Sequence, residues 1–339
     1  MTAVTVSPMT RVKELITLEM MSKAIHAVTQ LGIVDEIAAG AKSCNEIAMA
    51  TGTHAPSLYR VLRVLSSFGI FSESPEGYFQ MTPMAHALTN GEKTLRSFAL
   101  MFASPWNQGP FGELVYALKT GESAFEKSMG MPVFDYLDSN PGAAQLFNSV
   151  MTDFLAPVHA AAIKAYDFSR FRKVVDIGGG HGALMIRLLQ VNPEVHGIVY
   201  DLPSVIDGTR ESVRAAGLEA RCDCLAGSFF EALPTMADLY ILSRVIHDWD
   251  DQMAQRILTE CRRAMRPDSK LLLVEQVIEP GNQPSFAKIT DLWMLMIFGK
   301  GRERTREEFA CLLDGAGLSL AAITSTEVTD KLIEAHRKG

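Results

Sequence analysis

Hydrophobic residues in the first part of the chain recur at helical spacing. Over residues 10–31 they follow a period of about 3.6 residues, which predicts an amphipathic helix. The same spacing predicts helices over residues 34–39 and 54–68. Between these two, Ser43 has the residue type of a helix N-cap, so a further short helix is predicted after it. The beginning of the chain is therefore predicted to be mainly helical.

Strand-like segments follow these helices. Residues 70–71 and 78–82 are predicted to be short strands, because the Glu-Ser-Pro-Glu-Gly sequence between them is typical of a turn. Helix, turn, helix and β-hairpin, in this order, is the plan of a winged helix. Residues 95–166 hold several more helical stretches rich in aromatic residues, which we interpret as a connecting helical layer that covers the mouth of a following sheet.

Past residue 170, short apolar strands alternate with helices. Helices are predicted over residues 183–191 and 251–265, the second stopped by Pro267. The predicted strands are rich in Val, Ile, Leu and Tyr and cover residues 173–177, 197–201, 237–242 and 270–275. Alternation of this kind predicts an α/β fold with a doubly wound, mainly parallel sheet.

Composition limits the class of protein. A length of 339 residues suggests about two domains. Hydrophobic residues make up 47% and charged residues 21%, which excludes a mainly disordered chain. With 32 Lys and Arg against 39 Asp and Glu, the net charge of −7 does not favour nucleic acid or an anionic membrane as a partner. We see no apolar run long enough to span a bilayer, and residues 1–10 do not follow the plan of a signal peptide, so a cytoplasmic location is expected.

The five cysteines are scattered along the chain. Cys222 and Cys224 are separated by one residue, and no second cysteine pair or histidine cluster accompanies them. This spacing does not predict a zinc site. We expect reduced, mostly buried thiols and no metal.

A glycine-rich loop is the first candidate for chemistry. It contains Asp176, Gly178, Gly180 and Gly182 at alternate positions, and it follows a strand and opens a helix. Glycines allow a tight turn and close approach of the backbone to a ligand. Asp201 ends the next strand, where a carboxylate can accept both hydroxyls of a ribose. The Asp-x-Gly-x-Gly-x-Gly form is typical of S-adenosylmethionine sites and argues against a nicotinamide dehydrogenase.

A histidine and two glutamates form the second candidate. His247 follows the next predicted strand, at the sheet edge where ligands bind, and an imidazole there is a candidate general base. Glu275 is predicted to end the following strand, and Glu303 lies beyond an apolar helix. Two such acids near His247 could fix its tautomer and stabilise the imidazolium.

In their order and spacing, these motifs resemble those of the S-adenosylmethionine-dependent class I O-methyltransferases of small molecules, the plant caffeate and flavonoid enzymes and their bacterial natural-product relatives. The resemblance covers nearly the whole chain. It rests on residues 175–182 (Val-Asp-Ile-Gly-Gly-Gly-His-Gly), 200–203 (Tyr-Asp-Leu-Pro), 227–230 (Gly-Ser-Phe-Phe), 247–251 (His-Asp-Trp-Asp-Asp) and 302–305 (Arg-Glu-Arg-Thr).

The resemblance implies a fold and a domain order. Residues 1–95 would be a mostly α winged-helix dimerisation domain, residues 96–166 the connecting helical layer over the acceptor pocket, and residues 167–339 an α/β Rossmann-like catalytic domain that binds S-adenosylmethionine. The chain would be a homodimer without a metal. Its acceptor would be a small aromatic natural product, methylated at a hydroxyl that we expect to be phenolic.

The same resemblance assigns roles to residues. His247 would be the general base, flanked by Glu275 and Glu303. The residues expected to bind the cofactor are Asp176, Gly178, Gly180, Asp201, Leu202, Ser228, Phe229, Ser243 and Arg244. Those expected to bind the acceptor are Phe147, Met151, Asp248, Met294 and Phe298.

Two positions depart from the family's pattern. Ser228 stands where the family commonly has an aspartate for the adenine amino group, so the hydrogen bond there would lack charge assistance. Ser243 stands where the family often has a lysine. Both differences concern the adenine side of the cofactor.

Two other functions remain open at this point. A winged helix could bind DNA, but residues 1–100 hold eight Lys and Arg and eight Asp and Glu, without the basic excess of a DNA-binding module. A methyltransferase-like protein could also bind S-adenosylmethionine and carry out a changed reaction.

Overall fold

The computed structural model describes residues 7–91 and 94–338, which fall into two units. The first unit comprises Met1–Gly112 and Phe134–Asp153, and the second comprises Glu113–Val133 and Phe154–Gly339. Most of the segment in which we looked for a signal peptide lies outside the described residues. The residues predicted as one connecting layer, 96–166, are divided between the two units, and the three-part boundaries stay a prediction.

The first unit begins with helices and a small sheet. Its elements are α1 (Pro8–Gln30), α2 (Ile33–Ala38), β1 (Lys42–Ser43), α3 (Cys44–Thr51), α4 (Ala55–Ser67), β2 (Phe71–Glu73), β3 (Tyr78–Met81), α5 (Pro83–His86), α6 (Arg96–Phe102) and α7 (Pro105–Gln108). The sheet is antiparallel with the order β1-β3-β2. Helix, turn, helix and hairpin therefore follow one another as predicted, while β1 was not predicted.

Local sequence explains these boundaries. Ser43 caps α3 in a capping box with Glu46, each side chain bonding the other's backbone N–H, which confirms the predicted N-cap. Leu62 and Leu65 of α4 and Phe79 of β3 are fully buried in the core of this unit. By contrast, the first half of α1 exposes large apolar side chains: Met9, Val12, Leu15, Ile16, Leu18 and Met20.

Two more helices each have residues in both units. They are α10 (Val133–Ser139) and α11 (Pro141–Ala165). By length and composition α11 is long and apolar enough to cross a membrane, which the sequence analysis did not recognise. A core helix of a soluble protein passes the same test, and Val158, Ala161 and Ala162 of α11 are buried.

The second unit is built on one large sheet. Its strands are β4 (Lys173–Ile177), β5 (His196–Asp201), β6 (Cys222–Ala226), β7 (Leu239–Ser243), β8 (Lys270–Ile278), β9 (Arg304–Thr305), β10 (Leu318–Ser325) and β11 (Asp330–Arg337). Its helices are α8 (Leu114–Thr120), α9 (Ala124–Met129), α12 (Ala183–Val191), α13 (Pro203–Ala215), α14 (Asp251–Ala264), α15 (Phe286–Ile297) and α16 (Arg306–Gly315).

The sheet has the order β10-β11-β8-β7-β4-β5-β6, with β9 paired to β8. Strands β4 to β9 pair in parallel, whereas β10 and β11 form an antiparallel hairpin at one edge. From β4 the chain moves outwards to β5 and β6 and then returns to β7, on the other side of β4. The crevice at the carboxyl ends of β4 and β7 is therefore the topological switch point, where ligands bind in sheets of this kind.

Hydrophobic layers cover both faces of this sheet. One layer includes Tyr240, Leu242 and Leu273, and the other includes Val174, Ile241 and Leu272, all buried. Such two-sided burial explains why these strands are continuous apolar runs, and β4 and α12 have the predicted bounds.

Two predictions need correction. Strand β8 continues to Ile278, so Glu275 lies within the strand and does not end it. The thiols are free, but only Cys222 and Cys261 are buried, while Cys311 is exposed. The pattern therefore predicted reduced cysteines correctly and overstated their burial.

Candidate active site

The glycine loop after β4 lies against the end of β5. The backbone N–H of Gly178 donates to the carbonyl of Tyr200 over 2.8 Å, and that of Gly180 donates to Oδ2 of Asp201 over 2.8 Å. Gly178 and Gly180 have φ of 68° and 56°, in the left-handed region that favours glycine. Asp201 also accepts from the N–H of Leu202 over 2.7 Å, and both of its oxygens retain lone pairs for a ligand.

Asp176 lies beneath this loop and is almost fully buried. A Cβ at Gly179 would lie 2.7 Å from its Oδ2, so the loop packs directly on the carboxyl group. Neither oxygen has a hydrogen-bond partner among the described residues. Burial, together with the charge of Asp201, raises the pKa of Asp176 to about 7. A buried, unpartnered carboxyl group beside a ligand loop suits a cationic ligand group.

The segment after β6 is held by Tyr200. The hydroxyl of Tyr200 lies 3.2 Å from the carbonyl of Ser228 and 3.3 Å from that of Ala232. A Cβ at Gly227 would lie 2.0 Å from this hydroxyl, so only glycine fits there. The ring of Phe229 lies 3.7 Å from the position of a Cβ on Gly178, which places it beside the glycine loop. The hydroxyl of Ser228 accepts from the N–H of Phe230 over 3.3 Å.

On the other side of the switch point, β7 leads into the second cluster. Ser243 ends β7 with a buried hydroxyl that has no hydrogen-bond partner among the described residues. The next residue, Arg244, has a φ of 55°, and its side chain is only 9% exposed. Its guanidinium lies among Glu275, Glu303 and Asp330. Its role in binding a cofactor stays a prediction, since these contacts place it with the acids.

His247 lies in a short 3₁₀ turn after β7 and is buried. Its Nδ1 lies 3.3 Å from Oε1 of Glu303, to which it donates in the tautomer with the proton on Nδ1. Its Nε2 lies 3.3 Å from Oδ1 of Asp248. Glu303 thus orients the ring, and Nε2 is the nitrogen left for proton transfer.

Glu275 acts on the backbone of the same turn. Its Oε1 accepts from the N–H of Val245 over 3.1 Å and from that of Ile246 over 2.8 Å. The sequence analysis expected Glu275 to flank the imidazole as Glu303 does. Glu275 does lie beside the imidazole, but Nδ1 of His247 bonds Glu303, and Glu275 fixes the segment that carries His247.

The charges of this cluster shift one another. Burial and Arg244 lower the pKa of His247, but the carboxylates of Asp248, Glu303 and Glu275 outweigh them and raise it above its ordinary value. Burial raises the pKa of Glu303, but Arg244 and His247 outweigh it, so the net shift is downwards. Burial raises the pKa of Glu275 to about 7. Glu303 is therefore the ionised partner that stabilises an imidazolium at position 247.

These three side chains also form the kind of group that can hold a metal ion. One ligand atom each from His247, Glu275 and Glu303 lies within 4.8 Å of the others, so the structure brings together the histidine and the two glutamates that the sequence analysis expected to be close. However, the guanidinium of Arg244 bonds Glu303 over 3.0 Å and lies 3.9 Å from Glu275. A fixed positive charge among the ligands opposes a dication, and Glu303 and Oε1 of Glu275 already have hydrogen-bond partners.

Arg304 belongs to the site, although the sequence analysis assigned it no role. It is fully buried, and its guanidinium donates to the carbonyls of Ile246 over 3.0 Å and Trp249 over 2.8 Å. It also bonds Asp251 over 2.8 Å. Arg304 therefore fixes both ends of the turn that carries His247. The carboxylate of Asp250 caps α14 by accepting from the N–H of Met253.

The residues expected to bind an acceptor lie in different units. Met294 is buried in α15, and its Cε lies 2.9 Å from the position of a Cβ on Gly301. Phe298 packs its ring edge-on against Trp293 in the second unit. Phe147 and Met151 lie on the part of α11 that belongs to the first unit. Their role, like that of Asp248, stays a prediction.

Comparison with known proteins decides the family. The O-methyltransferase domain family matches residues 111–319, and the O-methyltransferase dimerisation domain family matches residues 13–91. The chain belongs to the O-methyltransferase family. It is an S-adenosylmethionine-dependent methyltransferase of the natural-product branch, with a Rossmann-like catalytic fold and an N-terminal dimerisation domain, as the resemblance implied.

Individual relatives of this methyltransferase act on aromatic molecules. The phenazine O-methyltransferase PhzM of Lysobacter antibioticus is 38% identical over 95% of this chain and 94% of its own. An 8-amino-8-demethylriboflavin N,N-dimethyltransferase of Streptomyces davaonensis is 32% identical over 88% of this chain and 87% of its own. The structure of NcsB1, an O-methyltransferase from neocarzinostatin biosynthesis in complex with S-adenosylmethionine and 2-hydroxy-5-methyl naphthoic acid, has a TM-score of 0.79 and 31% identity over 94% of this chain and 96% of that one.

The residues of this methyltransferase fit its cofactor. S-adenosylmethionine carries an ammonium group, a ribose and an adenine. The unpartnered carboxyl of Asp176 suits the ammonium group, the free lone pairs of Asp201 suit the ribose hydroxyls, and Phe229 offers a flat apolar surface beside the glycine loop.

Proposed function

We propose that this enzyme methylates a hydroxyl, phenolic in character, of a small aromatic natural product, with His247 as the general base. The observation that carries the proposal is the hydrogen bond between Nδ1 of His247 and the buried carboxylate of Glu303. It directs the proton of the neutral imidazole to Nδ1 and leaves Nε2 as the basic nitrogen.

The mechanism follows from the acid–base groups of the chain. S-adenosylmethionine supplies a methyl group on a sulfonium sulfur. Nε2 of His247 accepts the hydroxyl proton of the acceptor while the acceptor oxygen displaces the sulfur from the methyl carbon, so that S-adenosylhomocysteine leaves as a neutral thioether. A phenol has a pKa of about 10, so a partial proton transfer in the transition state is sufficient. Glu303 and Asp248 then stabilise the imidazolium from the two sides of the ring.

The fixed orientation of His247 further accelerates the methyl transfer. Glu275 and Arg304 hold the backbone of residues 245–249 through four hydrogen bonds from opposite sides. A rigid turn keeps Nε2 at a fixed position relative to the carboxyl end of β4, where the cofactor residues lie. Fixed geometry of this kind replaces the entropy that a solution reaction loses.

N-methylation is the alternative that a specific observation favours. The relative from Streptomyces davaonensis is named for transfer to an aromatic amine. An aryl amine is already a neutral nucleophile and needs a base only after its nitrogen has bonded to the methyl carbon. Dependence of turnover on His247 therefore separates the two reactions.

We also propose a homodimer in the cytoplasm. A dimerisation domain spans residues 13–91, and α1 exposes apolar side chains such as Leu15 and Ile16 that a second copy would cover. The remaining alternative of a DNA-binding regulator would require this region to read nucleic acid, and the net charge of zero over residues 1–100 does not favour that.

The test combines calorimetry with an acceptor screen. S-adenosylmethionine and S-adenosylhomocysteine should each bind with micromolar affinity, and a ¹³C-methyl label should reach phenolic oxygens in a panel of paired hydroxy- and amino-substituted aromatic acceptors. His247→Gln should bind both cofactor forms and lose transfer to oxygen. Label found only on nitrogen would overturn the proposal in favour of N-methylation, and binding of neither cofactor form would overturn it altogether.

A further inference from the structure

Arg244 has an unfavourable backbone conformation, and its side chain lies among the carboxylates of Glu275, Glu303 and Asp330, the acid cluster. A φ of 55° lies in the left-handed region, which is rare and strained for a residue other than glycine. Its N–H donates to the carbonyl of Val274 over 3.0 Å, which fixes the residue beside β8. Strain at a functional site persists only where the surrounding contacts compensate for it.

The compensation comes from three carboxylates. Nη2 of Arg244 lies 3.0 Å from Oε1 of Glu303, and Nη1 lies 3.6 Å from Asp330 and 3.9 Å from Glu275. All three acids are buried. His247 and Asp248 lie close enough to couple to the same guanidinium, and the ring of Phe154 from α11 closes its remaining side at 5.9 Å.

Asp330 has received no function from the motifs or the family match. It begins β11, and the matched O-methyltransferase domain ends at residue 319. Its Oδ2 accepts from the hydroxyl of Thr329 over 3.2 Å. Its Oδ1 has no hydrogen-bond partner among the described residues and faces Nη1 of Arg244.

We propose that Asp330 is a positioning residue for the methyl-transfer site, which shares the charge of Arg244 and so leaves Glu303 available to Nδ1 of His247. The inference rests on the proposed role of His247 as the base. It makes the C-terminal hairpin part of the catalytic machinery.

One carboxylate oxygen of Glu303 contacts both Arg244 and His247. Oε1 of Glu303 lies 3.0 Å from Arg244 and 3.3 Å from Nδ1 of His247, so the two cationic groups compete for it. Arg244 lowers the pKa of His247, and Asp330, 3.6 Å from the same guanidinium, is placed to offset part of that charge. Without the charge of Asp330, the pKa of His247 should fall and Nε2 should become a weaker base.

The test measures His247 directly by NMR. The full chain is labelled with ¹³C-histidine and saturated with S-adenosylhomocysteine, and the resonance of His247 is assigned from its absence in His247→Gln. At the pH where half of the wild-type imidazole is charged, Asp330→Asn should hold about threefold less imidazolium. Asp330→Glu, which restores the carboxylate, should recover most of the wild-type titration.

Glu334→Gln is the matched control on the same strand. Glu334 pairs with Arg170 and Lys270, away from the cluster. This variant should lower stability and leave the titration of His247 unchanged. An unchanged His247 in Asp330→Asn, or an equal shift in Glu334→Gln, would overturn the inference.

Two further measurements keep the inference decidable. If Asp330→Asn does not fold, Thr329→Val at an exposed position removes the hydrogen bond to Asp330 and should shift His247 in the same direction by less. Turnover on an acceptor from the screen should fall roughly three- to tenfold in Asp330→Asn, with the smallest loss at acidic pH. A shifted titration combined with full activity of His247→Gln would refute the proposed base and leave the charge coupling intact.

Discussion

The two sides of the switch point use different kinds of chemical groups. The cofactor side uses glycines, backbone N–H groups and two aspartates from segments close in sequence, such as Asp176 and Gly178. The acid–base side uses buried charged side chains from distant segments, among them Arg244, Glu303 and Asp330. Backbone groups hold a ligand with little dependence on pH, whereas coupled charges set a proton affinity. Cofactor binding and proton transfer should therefore respond to different mutations.

The largest difference between the effect on turnover and the effect on cofactor affinity is expected for His247→Ala. Turnover should fall by about 10²- to 10⁴-fold, the usual contribution of a general base, because alanine has no basic nitrogen to accept the proton of the acceptor. The dissociation constant for S-adenosylmethionine, measured by calorimetry, should change less than about twofold, since the imidazole acts on the acceptor. Equal losses of cofactor affinity and turnover would show that the cofactor side and the acid–base side do not act separately.

The converse effect is expected for Gly227→Ala. The new Cβ would lie 2.0 Å from the hydroxyl of Tyr200, so the loop carrying Phe229 must shift. Affinity for S-adenosylmethionine should fall by about tenfold, or roughly 1.4 kcal/mol, with little change in kcat at saturation. Gly142→Ala, where a Cβ meets nothing within 4 Å, is the control and should bind normally. Normal binding by Gly227→Ala would mean that this loop does not contact the cofactor.

Sequence reasoning succeeded best on the cofactor side. A strand that is apolar on both faces, followed by glycines, has one plausible structure, and β4 and α12 were predicted to the residue. His247 and Glu303 became candidates through their positions after predicted elements, the resemblance added their roles, and the structure brings them together. The positions of Phe147 and Met151 relative to an acceptor still depend on that resemblance alone.

The buried arginines show why the rest could not be predicted. Arg304 stands in a run of seven polar residues, 302–308, which is the usual pattern of a solvated segment, yet it is fully buried. Its burial depends on carbonyls of Ile246 and Trp249, more than fifty residues earlier. Likewise β10 and β11 were missed, and with them Asp330, because edge strands mix polar and apolar residues. A charged side chain is buried by partners that one sequence does not reveal.

A smaller effect on turnover is expected for Arg304→Lys. A lysine cannot donate to both carbonyls and to Asp251 at once, so the turn should loosen and kcat should fall about three- to tenfold. The free energy of unfolding should fall by about 3 kcal/mol in denaturant titrations. Arg302→Lys, on a side chain that is 39% exposed, is the control and should change neither quantity. A stable and fully active Arg304→Lys would show that the rigidity of this turn does not contribute to catalysis.

The smallest expected effect is a proton released on cofactor binding. The pKa of Asp176 is raised to about 7 in the folded chain, so the folded state binds more protons than the unfolded state, and stability falls as pH rises towards and through 7. An ammonium group beside this carboxyl would lower its pKa again and expel the proton. Calorimetry at pH 6 in buffers of different ionisation enthalpy should therefore detect release of a fraction of one proton when S-adenosylhomocysteine binds. Asp176→Asn, which cannot release a proton, should abolish the dependence on buffer and bind more weakly. Because the acid–base cluster contains Glu275, also with a pKa near 7, release that persists in Asp176→Asn would place the proton on the catalytic side and show that cofactor binding is coupled to it.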